Sequence, residues 1–484
     1  MSSAKEVGLT VRKEDNFSEW YGQLVLKSEL ADYGSTKGAL ILRPYGYSIW
    51  ELVKQTLDNL LKDTGHENGF LPVMIPEVLL RKEEEHFRGF NSEVFWVTKA
   101  GDNELTEKLA LRPTSETIAY SAFARWISSY RDLPFKINFW NTALRAEIKA
   151  TKPLIRNSEF LWQEGHTVHE SKEDALKEVD LILKLYKKII EEYLAIPVRQ
   201  GLKSNHEKFV GAVSTASLES LMGDGRALQM ATSHNLGQNF ARPFEIKYLG
   251  RDNVEHYAWQ TSWGTSWRLI GALAMIHGDN KGLILPPNIA PIQVIIIPIH
   301  KKADEGLVKD HSKNILQELQ QANIRAKIDE RVEYTAGWKF NDWEMRGVPL
   351  RINIGQRDIG KNKLEMSRRD TFEKITIERK ELVSSVNKLL TSIQRDLFTK
   401  AREFLSHNTT PVGDFETFKE IITSKGGFIA AAWCGSDYCE TQIKEQSGAD
   451  IRIIPSDVDS TSNHSECVFC RQKPSTTVLF ARAY

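Results

Sequence analysis

The sequence predicts a multi-domain α/β protein, and three observations carry that reading. At 484 residues the chain is too long for one hydrophobic core, so a few domains of about 100–200 residues each are expected. A Pro-rich stretch, Leu285-Pro286-Pro287-Asn288-Ile289-Ala290-Pro291, marks a boundary beyond which strands and helices alternate. All 4 cysteines fall in the last 51 residues, a crowding that random placement would give roughly once in 10,000 chains. The expected partition is 1–288, 289–400 and 401–484.

Residues 45–62 place Ile49, Leu52, Val53, Thr56, Leu60 and Leu61 near helical spacing, which predicts an amphipathic helix stopped by Gly65 and Gly69. Phe70-Leu71-Pro72-Val73-Met74-Ile75-Pro76 then reads as a short buried strand or an extended edge. Residues 135–168 read as two strands joined by the polar loop Lys149–Pro153. A helix over 171–194 opens with Ser171 and Asp174 in capping-box-like spacing. Its core face is Ala175, Val179, Ile182, Tyr186, Ile189 and Tyr193. Past the Pro-rich boundary come a strand at 292–299, a helix at 303–322 and a strand at 324–328. A short helix at 337–345 and a strand at 350–354 complete a small α/β unit. A polar helix over about 380–405 leads to the cysteine-bearing end.

Lys+Arg and Asp+Glu both number 64, which excludes a basic nucleic-acid tail or an acidic solvating tail as the main business of the chain. A local basic patch stays possible, and residues 351–369 hold one: Arg351, Arg357, Lys361, Lys363, Arg368 and Arg369 against Asp358 and Glu365. No apolar run approaches the ~18–20 residues of a membrane span. Met1 to Trp20 has no apolar signal-like core, so a cytoplasmic protein without a membrane partner is expected. In a reducing compartment disulfides are disfavoured. The spacings Cys434-x4-Cys439 and Cys467-x2-Cys470 therefore predict four thiolates on one structural zinc, with reduced, partly vestigial thiols as the competing reading.

Two short motifs fail on their context. Gly355–Lys361 fits most of a Walker A loop, but Asn362 stands where Ser or Thr should hold Mg²⁺. Glu365–Arg369 looks like a KMSKS loop without its HIGH partner. Other stretches carry more. On a strand, Arg145 and Glu147 would share a face, with Arg156 folding back toward them. Trp162, Glu164 and His166 alternate in the same way; the competing reading is a solvated hairpin with cross-strand charge pairs. Arg112-Pro113-Thr114-Ser115-Glu116 sits at a helix start, where plain N-capping competes. Gln229–Asn239 is either an exposed polar loop or a site lining. Arg268 opens the apolar helix 269–276 against the helix dipole, which an anionic ligand would reconcile.

Together these stretches resemble the class II aminoacyl-tRNA synthetases, and among them the prolyl-tRNA synthetases of archaeal and eukaryotic type. The resemblance runs from about Phe17 to Tyr484. It rests on Leu111–Glu116, Arg145-Ala146-Glu147, Phe160–His166, Thr232–Phe240, His277-Gly278-Asp279-Asn280 with Leu285-Pro286-Pro287, and Trp343–Pro349. It implies an antiparallel-sheet catalytic domain with helices, an α/β anticodon-binding domain and a small α+β zinc-binding C-terminal domain. It also implies a homodimer that uses ATP with Mg²⁺ to activate L-proline and charge tRNA(Pro). Arg145 would then bridge the proline carboxylate and the α-phosphate, and Arg268 would hold the distal phosphate. Arg156 and Glu147 would contact ATP, while Gln229, Thr232 and Ser266 complete the nucleotide and Mg²⁺ site. Thr114 and Glu116 would receive the secondary ammonium. Trp162, Glu164, His166, Phe209 and His234 would enclose the ring.

The family's usual Asp-Tyr pair after Lys208-Phe209 is replaced here by Val213-Ser214, and Trp267 stands in place of a small polar residue. In the anticodon-binding segment, Glu344 and Arg346 are the candidate base-edge contacts. Arg145 and Arg268 lie 123 positions apart, too few for the catalytic elements plus an inserted editing domain of about 100 residues. A synthetase of neighbouring specificity and a tRNA-holding protein without catalysis are the alternatives. The joint presence of Arg145, Glu147, Gln229 and Arg268 argues against the second.

Overall fold

Period-two alternation in the N-terminal half builds a sheet. The computed structural model describes residues 8–86, 94–146, 151–456 and 465–484. The strands of this half are β1 (Glu67–Gly69), β2 (Phe135–Leu144), β3 (Glu159–His169), β4 (Arg199–Leu202), β5 (Ser214–Leu221), β6 (Ala227–Gly237) and β7 (Trp259–Ser266). They run β4-β5-β6-β7-β3-β2-β1 across the sheet, antiparallel except for β1 with β2. On β3, Trp162, Glu164 and His166 stand opposite Asn141, Phe139 and Ile137 of β2 and opposite Ser266, Gly264 and Ser262 of β7. The pleat puts those groups on one face and Gln163, Gly165 and Thr167 on the other.

That other face is closed by helices α1 (Phe17–Lys27), α2 (Pro44–Lys62), α4 (Lys172–Lys188) and α5 (Arg268–His277), packed around Trp263. Gly165 is required there: a Cβ would lie 1.9 Å from the Trp263 ring. Helix α3 (Glu116–Trp126) packs with Phe139, Leu236 and Phe240 in a second core. Helix α4 is capped as expected, with the Ser171 hydroxyl accepting from the Asp174 amide at 3.1 Å. It ends at Lys188, however, and Ile189–Tyr193 continues as one π turn that re-aims the chain.

Of the two readings of Phe70–Pro76, the extended edge is the one observed: Phe70 is 83% exposed, only Leu71 and Ile75 are buried, and Met74–Pro76 forms the edge of a three-stranded sheet. Strand β2 ends at Leu144, and the Arg145 amide donates to the Ser158 carbonyl at 2.7 Å. That bond continues the β2–β3 register by one residue, so Arg145 keeps the face of Phe139 and Asn141, while Glu147 lies outside the described residues.

After the Pro-rich boundary come β8 (Val294–Ile299), α6 (Glu305–Gln321), β9 (Ala326–Ile328), α7 (Ala336–Met345) and β10 (Leu350–Gly355), followed by β11 (Lys363–Arg368) and β12 (Lys374–Glu378). The strand order is β9-β8-β10-β11-β12, with β11 and β12 antiparallel. The Walker-like segment forms a single short helix, Gln356–Gly360, and runs straight into β11, so it builds no phosphate loop. The basic patch is also smaller than its sequence suggests. Arg368 pairs with Asp370 and Asp396, Arg369 pairs with Asp279 of the catalytic half, and Arg351 pairs with Glu344. Arg357, Lys361 and Lys363 remain exposed.

Helix α8 (Leu382–His407) is more than a linker, because Ile393 and Leu397 pack on Ala195 and Ile284. Beyond it lie β13 (Thr409–Pro411), β14 (Phe428–Trp433), α9 (Asp437–Ser447), β15 (Asp450–Pro455) and β16 (Thr476–Ala481). These strands extend the catalytic sheet, in the order β13-β14-β16-β15-β4, where Ile454 of β15 pairs with Leu202. The seam is locked by a buried trio in which Glu219 meets Lys203 at 2.6 Å and Arg452 at 2.9 Å. No helix among the described residues is long and apolar enough to cross a membrane.

Candidate active site

The polar face of β3, β6 and β7, the turn before α3 and the start of α5 enclose a cavity of about 320 Å³. It is lined by Thr114, Glu116, Arg145, Trp162, Glu164, His166, Phe209, Gln229, Thr232, His234, Ser266 and Arg268. Each of these was anticipated from the sequence. Arg156 lies next door, lining a small adjoining recess together with Arg145 and Arg268. The cavity wall also includes residues the sequence did not single out, among them Phe160, Glu207, Thr215 and Ser262. Phe160 and Ser262 were within reach of the alternation rule, two residues before Trp162 and four before Ser266. Glu207 and Thr215 depend on how the 203–215 segment folds, which no local pattern announces.

One end of the cavity is a closed network. Ser115 is the N-cap of α3 by position, but its hydroxyl donates to Glu164 and caps nothing. The Thr114 hydroxyl donates to Glu116. Plain N-capping is thus set aside: both hydroxyls serve buried carboxylates. Glu164 also accepts from Asn141 at 3.0 Å and faces His166 Nε2 at 3.4 Å, and Tyr120 meets His166 Nδ1 at 3.1 Å. His234 is held at both nitrogens, by Thr215 at 2.9 Å and Thr232 at 3.0 Å, with the Phe209 ring 4.8 Å away. Enclosure drives the His234 pKa down to about 3, and nearby His166 adds to the effect. Burial pushes the Glu116 carboxyl upward, while His166 pulls the other way.

The other end is cationic. Arg268 Nε donates to the Ile155 carbonyl at 3.3 Å and its Nη1 to the Gln229 carbonyl at 3.2 Å. Arg145 Nε donates to the Pro113 carbonyl at 3.3 Å, and its guanidinium lies 5.4 Å from the Phe160 ring centre. Backbone carbonyls thus help to orient both guanidinium groups. A site with a buried carboxylate network at one end and arginines at the other suits a small ammonium-bearing acid beside a polyphosphate.

Three family models match the chain. The family model of the tRNA synthetase class II core domain (G, H, P, S and T) matches residues 95–277. The anticodon binding domain matches 293–389, and the prolyl-tRNA synthetase C-terminal model matches 415–484. A proline–tRNA ligase of Cenarchaeum symbiosum (strain A) is 53% identical over 480 residues, which is 99% of this chain and 100% of the relative. The chain belongs to the prolyl-tRNA synthetases. A second proline–tRNA ligase, from Natranaerobius thermophilus, is 48% identical over 98% of both chains. A crystal structure of the Cryptosporidium parvum prolyl-tRNA synthetase, complexed with halofuginone and AMPPNP, superimposes with a TM-score of 0.93 at 42% identity. It covers 99% of this chain and 100% of its own.

Every cavity residue named above lies within the class II core match. The Val213-Ser214 departure from the prolyl-tRNA synthetase pattern does not itself line the cavity, although Thr215 does. The four cysteines lie within the C-terminal match. Their sulfurs fall within 4.8 Å of one another, with Cys434 to Cys439 at 3.6 Å and Cys470 to Cys434 at 3.7 Å, and all four thiols are free. Four sulfurs about 2.3 Å from one tetrahedral zinc would stand about 3.8 Å apart, so the set fits that ion. In the anticodon-binding domain, Glu344 pairs with Arg351 at 2.8 Å. Arg346 pairs with Glu29 of the catalytic half at 3.0 Å, and its carbonyl accepts from the Tyr45 hydroxyl. Those contacts make it an interdomain brace.

Proposed function

We infer that this chain is a proline–tRNA ligase: it joins L-proline to ATP as prolyl-adenylate and then transfers proline to the 3′ end of tRNA(Pro). The observation that carries this reading is the single cavity with a buried carboxylate network at one end and arginines at the other. Glu116 and Thr114 receive the secondary ammonium, while Trp162, Glu164, His166, Phe209 and His234 enclose the ring. Arg145, between the two ends, aligns the proline carboxylate with the α-phosphate. A carboxylate oxygen attacks that phosphorus and pyrophosphate leaves, while Arg145, Arg156 and Arg268 offset the charge of the pentavalent state. Gln229, Thr232 and Ser266 line the nucleotide end, and Gln229 is the residue proposed toward the Mg²⁺ of ATP, an ion that draws charge from the phosphates when bound. Glu147 is proposed as a further ATP contact. A terminal tRNA hydroxyl then attacks the adenylate carbonyl and AMP departs. Glu344 and Arg346 are proposed to contact anticodon bases. Charging a tRNA(Pro) transcript with proline tests the whole sequence; adenylate formation without transfer would contradict the ligase reading.

Further proposals attach to this one. Cys434, Cys439, Cys467 and Cys470 hold one structural zinc, so the purified protein should carry one thiolate-bound ion per chain by metal analysis. A cytoplasmic location suits such reduced thiols, and cell fractionation tests it. The chain pairs as a homodimer through α2 and the segment ending at Pro76. The exposed Tyr33, Ile41, Tyr47, Phe70 and Met74 in that region support this, and a fully active monomer in sedimentation would refute it. Between Arg145 and Arg268 the described elements all belong to the catalytic half. We therefore expect no editing of misactivated alanine. Rapid deacylation of alanyl-tRNA by this enzyme would overturn that.

A further inference from the structure

A cluster of different chemistry sits outside the cavity wall. His206, Asp437 and Glu440 bring one imidazole nitrogen and two carboxylates within 4.8 Å of one another. His206 precedes Glu207 and Phe209, both of which line the cavity. Asp437 and Glu440 belong to α9, from the C-terminal layer. His206 Nε2 stands 3.7 Å from Asp437 Oδ2, too far for a hydrogen bond. Glu440 is only 5% exposed. One of its oxygens accepts from the Ser204 hydroxyl, and the buried Oε2 has no hydrogen-bond partner among the described residues. A buried carboxylate oxygen is costly to leave without a donor or a cation. The nearby ammonium of Lys444 does not fill that role, because it is engaged with Glu207 at 3.3 Å and Asp450 at 2.6 Å.

We propose that His206, Asp437 and Glu440 form a second divalent-cation site, separate from the thiolate cluster, that ties the cavity-wall segment 204–209 to α9. One imidazole with two carboxylates suits Zn²⁺ or Mn²⁺, whereas Mg²⁺ prefers an all-oxygen shell. Three protein ligands leave the remaining positions to water. A shell of about 2.1 Å radius sets donor separations of about 3.0–3.4 Å. Closing onto an ion therefore asks for a shift of at most about 1.8 Å, and His206 and Asp437, both exposed, are able to make it. The ion would restrain Glu207 and Phe209 from outside the cavity while touching neither proline nor ATP.

The test uses the full-length enzyme with its thiolate cluster already filled, dialysed and then titrated with MnCl₂ or ZnCl₂ in the absence of ATP. Manganese is poorly suited to a four-thiolate set, so it reads the new site alone. One additional ion per chain is expected, with affinity falling at least ~10-fold in His206→Ala and Asp437→Asn. Glu440→Gln, which keeps an acceptor for Ser204, should behave the same way, and the thiolate-bound metal should stay unchanged in all three. Hydrogen exchange across 204–212 should slow when Mn²⁺ is added to the wild type and stay unchanged in Asp437→Asn. Saturation without an additional ion, or an additional ion bound equally well by all three variants, would overturn the proposal.

Discussion

The two ends of the catalytic cavity solve opposite problems. At the amino-acid end Glu116 is 4% exposed, Glu164 2% and His166 1%, and each is tied to a neighbour. At the nucleotide end Arg145 and Arg268 are half-buried, Arg156 is exposed, and backbone carbonyls orient the guanidinium groups of the first two. On the proposed reading, the buried end encloses a small zwitterion and the arginine end meets the phosphates. Selectivity and rate would then rest on different groups, so substitutions at the two ends should fail differently.

The largest effect is expected where the ends meet. Arg145→Ala should lower proline-dependent ATP–pyrophosphate exchange by at least ~100-fold, because it removes a preorganised cation from the developing charge. Near-normal exchange would erase the distinction drawn here. A smaller and more selective loss is expected from Glu116→Gln. It should raise the KM for proline by about 10–100-fold, the range of a charge-assisted hydrogen bond, and leave the KM for ATP close to normal. Equal changes in both constants would show that the ends are not separable.

A third effect concerns pH. Burial lowers His169 and His277 to about 4 and His234 to about 3, all below the ordinary value of 6.5. Since the folded pKa is the lower one, the unfolded chain takes up protons first as pH falls. The stability tied to these neutral rings is complete above pH 6.5 and is lost progressively from there down to about pH 3–4. Each histidine contributes a slope of up to about 1.4 kcal/mol per pH unit. Denaturant titrations at pH 7 and pH 5 should show the fall, and His234→Gln should reduce its slope. The smallest effect is ionic: salt should weaken ATP binding at the exposed arginine end more than proline binding at the dry end. Parallel KM measurements at low and high salt would reveal it.

Much of this was legible in the sequence where a local rule sufficed. Trp162, Glu164 and His166 follow from the two-residue period, and Arg268 from an arginine placed against a helix dipole. The Cys467-x2-Cys470 knuckle signals its own geometry. Other features depend on tertiary placement and leave no local trace. Arg369 reads as a phosphate contact in a basic run, yet it is spent on Asp279 across a domain interface. The pairing of Arg346 with Glu29, likewise across domains, has no local signal either. The joining of β15 to β4, which carries the C-terminal layer onto the catalytic sheet, rests on two paired residues more than 250 positions away in sequence. Arg145 follows the same two-residue period one step past the end of β2, while its role comes from the family resemblance.

The central claim is that one cavity reads proline at its buried end and ATP at its arginine end. ATP–pyrophosphate exchange measured with each of the twenty amino acids tests it most directly. Proline should drive exchange far above the rest, with alanine and cysteine giving weak but measurable rates. Exchange driven strongly by another amino acid and absent with proline would contradict the account.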